Sequence, residues 1–385
     1  MLKMVSYEPL MGVNMKIYVA QQHIGCDLNY QPVLIYRELK KRYELTDNVK
    51  EADIIVFAGT MACTGNEVLN TIEYIKSIIS QKKEGAKTFL TGCLTREFTN
   101  PEFSFVSDWL KDNIDVIVPQ NEPGNLLQSI YGSDYENKFN YFGHIDIKNK
   151  RGTYVGRIYL SSGCLNKCTF CKATYQNLSL KSAELKIVEW GIDQLNMQGI
   201  NDLELLGTNI AQYGLDINGT YMLPSVLEHI EEAGSIKNVQ LIGFAFKDAI
   251  EGNLTPVLRD SSKVHFISGG LESGSDRILK LMKKGFTSEQ FVDFVHTIQD
   301  KHFLGLDLNV IAGFPTETEE DLEDTINVLK AVRPVSVAIV EYLNSPQVAS
   351  SKYEQLSQEE IDGHAKYLHR KLHNYGIRSE IINAK

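Results

Sequence analysis

YVGRIYLSSGCLNKCTFC, residues 154–171, sets the reading of the whole chain. Val155–Leu160 has the apolar, β-prone character of a buried strand. Cys164, Cys168 and Cys171 follow within eight residues of one another, a span that lets one loop wrap a single inorganic centre. Zinc would want a fourth ligand, commonly Cys or His at close spacing, and Lys172–Leu180 offers none. A four-iron cluster is ordinarily held by four cysteines, so three leave one iron open to a substrate or cofactor. A zinc knuckle and three incidental buried thiols are the competing readings.

Downstream, five further strand candidates recur at βα intervals: Asp202–Leu206, Asn238–Ile242, Val264–Ile267, Leu306–Ala312 and Val335–Tyr342. Six such units predict a partial, open barrel rather than the closed eightfold one. Helices are signalled by Ser182 ahead of Leu185, Val188, Ile192 and Leu195, with Gly199 as the stop, and by a capping box of Thr287 and Gln290 before Phe291. Glu317, Glu319, Glu320 and Asp321 follow Thr316, where a helix N-terminus favours negative charge. The tail from Gln355 reads as one helix, about Gln358–His373, and a short strand.

Upstream, Lys16–Ala20, Asp53–Phe57, Lys87–Leu90 and Asp115–Val118 read as strands separated by amphipathic helices, a parallel α/β domain of flavodoxin-like type. Cys26, Cys63 and Cys93 each follow one of the first three strands, near Gly25, Gly59, Gly65 and Gly92. Ligands in such sheets gather beyond the strand carboxyl ends, so three dispersed thiols are expected at one edge. Their spacing alone says nothing, and ordinary buried thiols compete with a second metal centre. The aromatic, polar run 131–151 suits a connector. The expected division is an extension at 1–14 (Met15 being an alternative start), an α/β domain at 15–135, a linker at 136–151, the barrel at 152–345 and a C-terminal extension at 346–385.

The 385 residues are 43% hydrophobic and 23% charged, which excludes one small domain and a largely disordered or collagen-like chain. With 39 basic against 49 acidic side chains the net charge is −10, so the surface as a whole cannot capture nucleic acid and only a local basic groove could. Lys280, Lys283 and Lys284, and the run His369–His373, read as solvated helix faces. No apolar run long enough to span a bilayer and no secretion-signal core occur, so a cytoplasmic location without a membrane partner is expected. Six cysteines in that reducing compartment are metal ligands or catalytic thiols more readily than disulfides.

The loop from Cys164 to Cys171, with the aromatic Phe170 before its last cysteine, resembles the signature of the radical S-adenosylmethionine superfamily. Three dispersed cysteines in an α/β domain ahead of that loop are similar to the methylthiotransferases among those enzymes, as are LLGTNIAQYG (Leu205–Gly214), LESGSDRILKLMKKGFT (Leu271–Thr287) and IAGFPTETEEDLEDT (Ile311–Thr325). The resemblance implies two [4Fe-4S] clusters and S-adenosyl-L-methionine as cofactors. Cys164, Cys168 and Cys171 would hold the radical cluster, and Cys26, Cys63 and Cys93 an auxiliary one on which a sulfur is methylated. It further implies that Gly207, Thr208 and Asn209 meet the methionine amino group and that Glu272 and Ser273 stand at the ribose. Asn309, Ile311 and Gly313 would lie against adenine.

Where such enzymes usually carry Pro and Arg-Gly after the last cluster cysteine, this chain has Lys172-Ala-Thr-Tyr-Gln-Asn. Glu272 replaces a common Gln, and Ser345-Pro-Gln-Val replaces a Pro-Gly-Thr segment. About forty mostly helical residues after Tyr342 leave no expected room for the TRAM-type β-barrel that typically follows. The expected activity is insertion of a methylthio group at an unactivated carbon. A peptide or small-molecule substrate is favoured over tRNA, and a flavodoxin- or ferredoxin-type protein is the expected electron donor. The competing expectations are a tRNA methylthiotransferase, a two-cluster radical enzyme that crosslinks or dehydrogenates, and a non-catalytic iron–sulfur scaffold.

Overall fold

Alternation along Ile54–Ala58 explains the first sheet. Ile54, Val56 and Ala58 pack with Ile17, Ile35, Leu39 and Leu126, whereas Ile55 and Phe57 pack with Val68, Ile72, Leu90 and Leu110. Both faces are apolar, so helices must cover both. The computed structural model describes residues 15–21, 31–60, 65–92, 94–95, 104–118, 123–132, 144–148, 154–171, 179–300 and 304–382. The chain divides into two compact units, Met1–Tyr141 and Phe142–Ala384.

In the first unit β1 (Lys16–Gln21), β2 (Glu44–Leu45), β3 (Ile54–Thr60), β4 (Lys87–Gly92) and β5 (Val116–Ile117) form a parallel sheet of order β2-β1-β3-β4-β5. This is the flavodoxin-like order, whose switch point lies between β1 and β3. The helices are α1 (Gln31–Lys40), α2 (Gly65–Ile79), α3 (Ser104–Asn113) and α4 (Pro123–Tyr131). Because β1, β3 and β4 are parallel neighbours, their carboxyl ends share one edge. Cys26, Cys63 and Cys93 lie outside the described residues.

In the second unit the strands are β6 (His144–Lys148), β7 (Tyr154–Ser162), β8 (Lys181–Ser182), β9 (Asp202–Gly207), β10 (Asn238–Phe244), β11 (Val264–Glu272), β12 (Gly305–Ala312), β13 (Ser336–Glu341) and β14 (Ser379–Ile382). The helices between and after them are α5 (Leu185–Met197), α6 (Leu215–Asn218), α7 (Leu223–Glu232), α8 (Phe246–Glu251), α9 (Thr255–Asp260), α10 (Asp276–Met282), α11 (Ser288–Gln299), α12 (Glu319–Val332) and α13 (Gln358–Asn374). The order β14-β13-β12-β11-β10-β9-β7 is parallel throughout, with β6 antiparallel on the outer side of β7 and β8 antiparallel to its end. All six expected barrel strands are present. On β12, Leu306, Leu308 and Val310 enter the core shared with Phe291, Ile326 and Leu368, while Asp307 accepts the hydroxyls of Ser268 and Ser336 from the neighbouring strands.

Three expectations change. Residues 144–148, read as connector, form β6. The expected C-terminal helix and short strand form, but not as an appendage: α13 packs into the barrel core and β14 continues the sheet as a seventh parallel strand. Ser182 does not cap α5; it lies in β8, where its hydroxyl accepts the Gly214 N–H, and Glu184 precedes the helix without a side-chain cap. Thr318 caps α12 through a box with Asp321. The capping box of Thr287 and Gln290 forms as read.

Candidate active site

The three-cysteine loop leaves β7 at Gly163, whose φ of +75° lets the chain turn back over the sheet. Gly163 donates its N–H to Thr208 Oγ1 at 3.2 Å, joining the loop to the end of β9. Its far end is fixed by Thr169, which donates its N–H to the Met282 carbonyl (3.0 Å) and its hydroxyl to that of Leu281 (2.9 Å). The Thr169 carbonyl accepts from the N–H and the hydroxyl of Ser350, at 2.9 and 3.0 Å. Phe170 packs against an apolar group formed by Ile278, Met282, Ile311, Phe314 and Tyr342. The loop is pinned by elements distant in sequence, with Cys164 and Cys168 between the two pins and Cys171 two residues beyond the second.

Cys164, Cys168 and Cys171 are unpaired and half-buried. Burial pushes the Cys164 thiol up and the Cys168 thiol up to about 11, the latter opposed by the nearby Lys284 ammonium. Only thiolates ligate metals, so loading this loop must release protons. Among the described residues no three Cys, His, Asp or Glu side chains converge as one metal ion requires. The donor set is three thiols on one loop, which suits a polynuclear cluster taking one thiolate per iron.

Behind Cys164 lies a buried carboxylate, Asp248 on α8, 2% exposed. It accepts from the side-chain amides of Asn166 (2.6 Å), Asn209 (2.8 Å) and Gln212 (2.9 Å). Asn209 Nδ2 and the Asn166 N–H each also reach Cys164 Sγ at 3.4 Å, and Gln212 accepts the Leu165 N–H at 2.8 Å. Asn209 Oδ1 is buried and has no hydrogen-bond partner among the described residues. An unserved buried carbonyl costs about 1–3 kcal/mol, which a ligand's N–H donor would recover.

Glu272 ends β11 at a φ of +72°, where its carboxylate is 3.5 Å from Lys284 Nζ. Lys284, expected on a solvated face, is 9% exposed and also donates to the Gly270 carbonyl at 2.8 Å. The cause is local: Lys283 takes the left-handed conformation that ends α10, which turns the next residue inward. Burial raises the Glu272 pKa against the pull of Lys284. Ser273, 1% exposed, accepts the Ser275 N–H and meets Thr325 Oγ1, so its hydroxyl braces the turn.

Glu317 departs from the expected helix-end charge. It is 4% exposed and accepts from the Gly313 N–H at 2.7 Å and His364 Nδ1 at 2.9 Å, tying α13 to the turn after β12. Glu317 raises the His364 pKa through their hydrogen bond, with Glu360 and Glu319 adding to it. Burial raises that of Glu317, against the pull of His364 and the Gly313 N–H. Both groups hold protons more tightly when folded, so stability falls as pH rises. The Glu317 share declines above its ordinary value of 4.5, and the His364 share is complete below 6.5 and lost as pH climbs through its raised value. His364→Gln should therefore cost about 2 kcal/mol at pH 6 and clearly less at pH 9, read by urea unfolding at both. An equal cost at the two would refute the pairing.

The structure thus brings Cys164, Cys168, Cys171, Thr208 and Asn209 to one group and Phe170 and Ile311 to another. Gly207 ends β9 and Asn309 lies within β12. Sequence reasoning missed Asp248, Asn166, Gln212, Lys284 and His364. Asp248 carried a usable signal, a lone acid in the apolar run Gly243–Ile250 directly beyond a strand end. Lys284 carried none beside its twin Lys283.

A family model described as the radical SAM superfamily matches residues 158–329. The ribosomal protein uS12 methylthiotransferase RimO of Clostridium botulinum is 25% identical over 362 residues, 90% of this chain and 79% of that protein. The tRNA-2-methylthio-N(6)-dimethylallyladenosine synthase of Campylobacter jejuni is 25% identical over 352 residues, 88% of this chain and 79% of that one. Among solved structures, the radical S-adenosylmethionine methyltransferase TsrM from Kitasatospora setae is similar in fold, with a TM-score of 0.59 at 13% identity over 88% of this chain and 77% of its own. No helix among the described residues is long and apolar enough to cross a membrane.

Proposed function

From a chain that is a radical SAM enzyme homologous to the methylthiotransferases, we propose an activity that inserts sulfur, as a methylthio group, at an unactivated carbon of its substrate. The observation that carries the proposal is the pinned three-thiol loop beside the unserved Asn209 carbonyl. Cys164, Cys168 and Cys171 hold a [4Fe-4S] cluster with one iron left for S-adenosylmethionine, and Cys26, Cys63 and Cys93 hold a second cluster beyond the ends of β1, β3 and β4. When bound, the first cluster and S-adenosylmethionine supply a 5′-deoxyadenosyl radical that removes hydrogen from carbon.

The chain's own residues position the reactants. Asn209, with Gly207 and Thr208, receives the methionine ammonium group. Glu272 accepts the ribose hydroxyls, with Lys284 holding its charge in place. Ile311 and the Gly313 turn, fixed by Glu317, face the adenine, and Phe170 shields the loop from water. Radical chemistry gains from such fixed, dry placement.

The acidic net charge and the altered stretches at Lys172–Asn177 and Ser345–Val348 favour a peptide or small molecule over tRNA. Mass spectrometry of the product tests the reaction: a gain of one methylthio group is expected, and a loss of two hydrogens without sulfur would replace this reading with crosslinking or dehydrogenation. Substrate binding should change little between 50 and 200 mM salt; roughly a thousandfold weakening would point to RNA instead.

A further inference from the structure

Asp248 is a buried carboxylate with a specific orienting task. Its partners are three side-chain amides from two different segments, Asn166 on the cysteine loop and Asn209 and Gln212 beyond β9. No cation bonds it among the described residues. A charge in that position acts on the amides it faces, because each must present N–H to it.

For Asn209 the consequence is directional. Turning its amide over would set Oδ1 against the Asp248 carboxylate, bringing two acceptors together, and would also remove the N–H from Cys164 Sγ. The carboxylate thereby locks the amide with Nδ2 inward and Oδ1 unserved. Gln212 is held in the same sense, since its Nε2 faces Asp248 while its Oε1 accepts the Leu165 N–H. One carboxylate thus fixes both the backbone beside Cys164 and the free carbonyl next to it.

We propose that Asp248 is a positioning residue that holds the Asn209 carbonyl oxygen as a preset acceptor for the α-ammonium group of a ligand bound at the cysteine loop. The inference rests on the reading of that ligand as S-adenosylmethionine. Toward that ligand Asp248 acts on the ammonium end alone and through Asn209, while its bonds to Asn166 and Gln212 serve the loop. In Asp248→Asn the new amide offers N–H where the carboxylate accepted, Asn209 turns its oxygen inward, and the preset acceptor disappears.

The test uses the full chain with its clusters reconstituted without oxygen. Iron and sulfide are counted, and binding is titrated with S-adenosylmethionine and with its analogue lacking the amino group. D248N should keep its iron, bind S-adenosylmethionine about tenfold or more weakly, and bind the analogue as wild type does. D248E, which retains the charge, should recover most of the affinity. D248N/N209A should be no weaker than N209A alone, since one residue acts through the other.

Equal loss for both ligands, unchanged affinity, or additive losses in the double variant would each overturn the proposal. So would loss of iron in D248N, because it would make Asp248 a support of the loop alone. If D248N does not fold, D248E and N209A still decide the matter: N209A must discriminate the two ligands and D248E must keep most of the wild-type affinity for both. Wild-type protein that takes up no cluster would overturn the parent reading and this one together.

Discussion

A chain carrying Cys164→Ala, Cys168→Ala and Cys171→Ala is expected to retain about half of the wild-type iron and to release no 5′-deoxyadenosine from S-adenosylmethionine under reducing conditions. Cys26→Ala, Cys63→Ala and Cys93→Ala together should leave a similar half while cleavage of S-adenosylmethionine continues. The first set is pinned by Thr169 and Gly163 to β9, α10 and Ser350, so its removal leaves the loop's anchors in place. The barrel should accordingly remain folded, with a thermal midpoint near that of the metal-free wild type. Unchanged iron in the second variant would demote its three residues to packing, and iron lost completely in either variant would mean one shared centre.

Gly243→Ala should be among the most damaging single substitutions in the second unit. Gly243 sits in β10 at a φ of +79°, a conformation L-residues avoid, and a methyl group there would overlap the carbonyl oxygen of Gly207. The obstacle is backbone in a paired parallel strand, which cannot rotate away as a side chain would. Strain at the positive φ and overpacking together cost about 3–5 kcal/mol, or roughly 10 °C in the thermal midpoint. Gly207 leads into Thr208 and Asn209, so the affinity for S-adenosylmethionine should fall as well. A midpoint within about 2 °C of wild type would refute the close approach.

Much of this architecture was legible because its signals are periodic. Strands such as Asp202–Leu206 and Leu306–Ala312 are apolar runs at βα spacing, and a sheet buried by helices needs little more to be specified. β6 escaped notice for the opposite reason: His144–Lys148 mixes polar and apolar residues on a sheet margin. The short strand after α13 was legible, but its pairing with β13 was not, since nothing local in Ser379–Ile382 names a partner. The cysteine loop was readable because ligand spacing is local. Its supports were not, since Asp248, Ser350 and Lys284 reach it from 82, 181 and 116 residues or fewer away in sequence, and only the fold brings them near. Glu317 misled for a related reason. An acid near a helix start looks the same whether it serves the helix dipole or, as here, a glycine N–H and a histidine.

β14 covers the outer side of β13 with only four residues, of which Glu380 and Ile382 face solvent. So short and partly charged a margin offers few free amide and carbonyl groups to a stray chain, a known defence against intermolecular sheet growth. Proteolytic trimming back to Tyr375 would uncover Val337–Val340, an apolar stretch with its hydrogen-bonding side unpaired. The clipped protein would then tend to self-associate before it lost its catalytic parts.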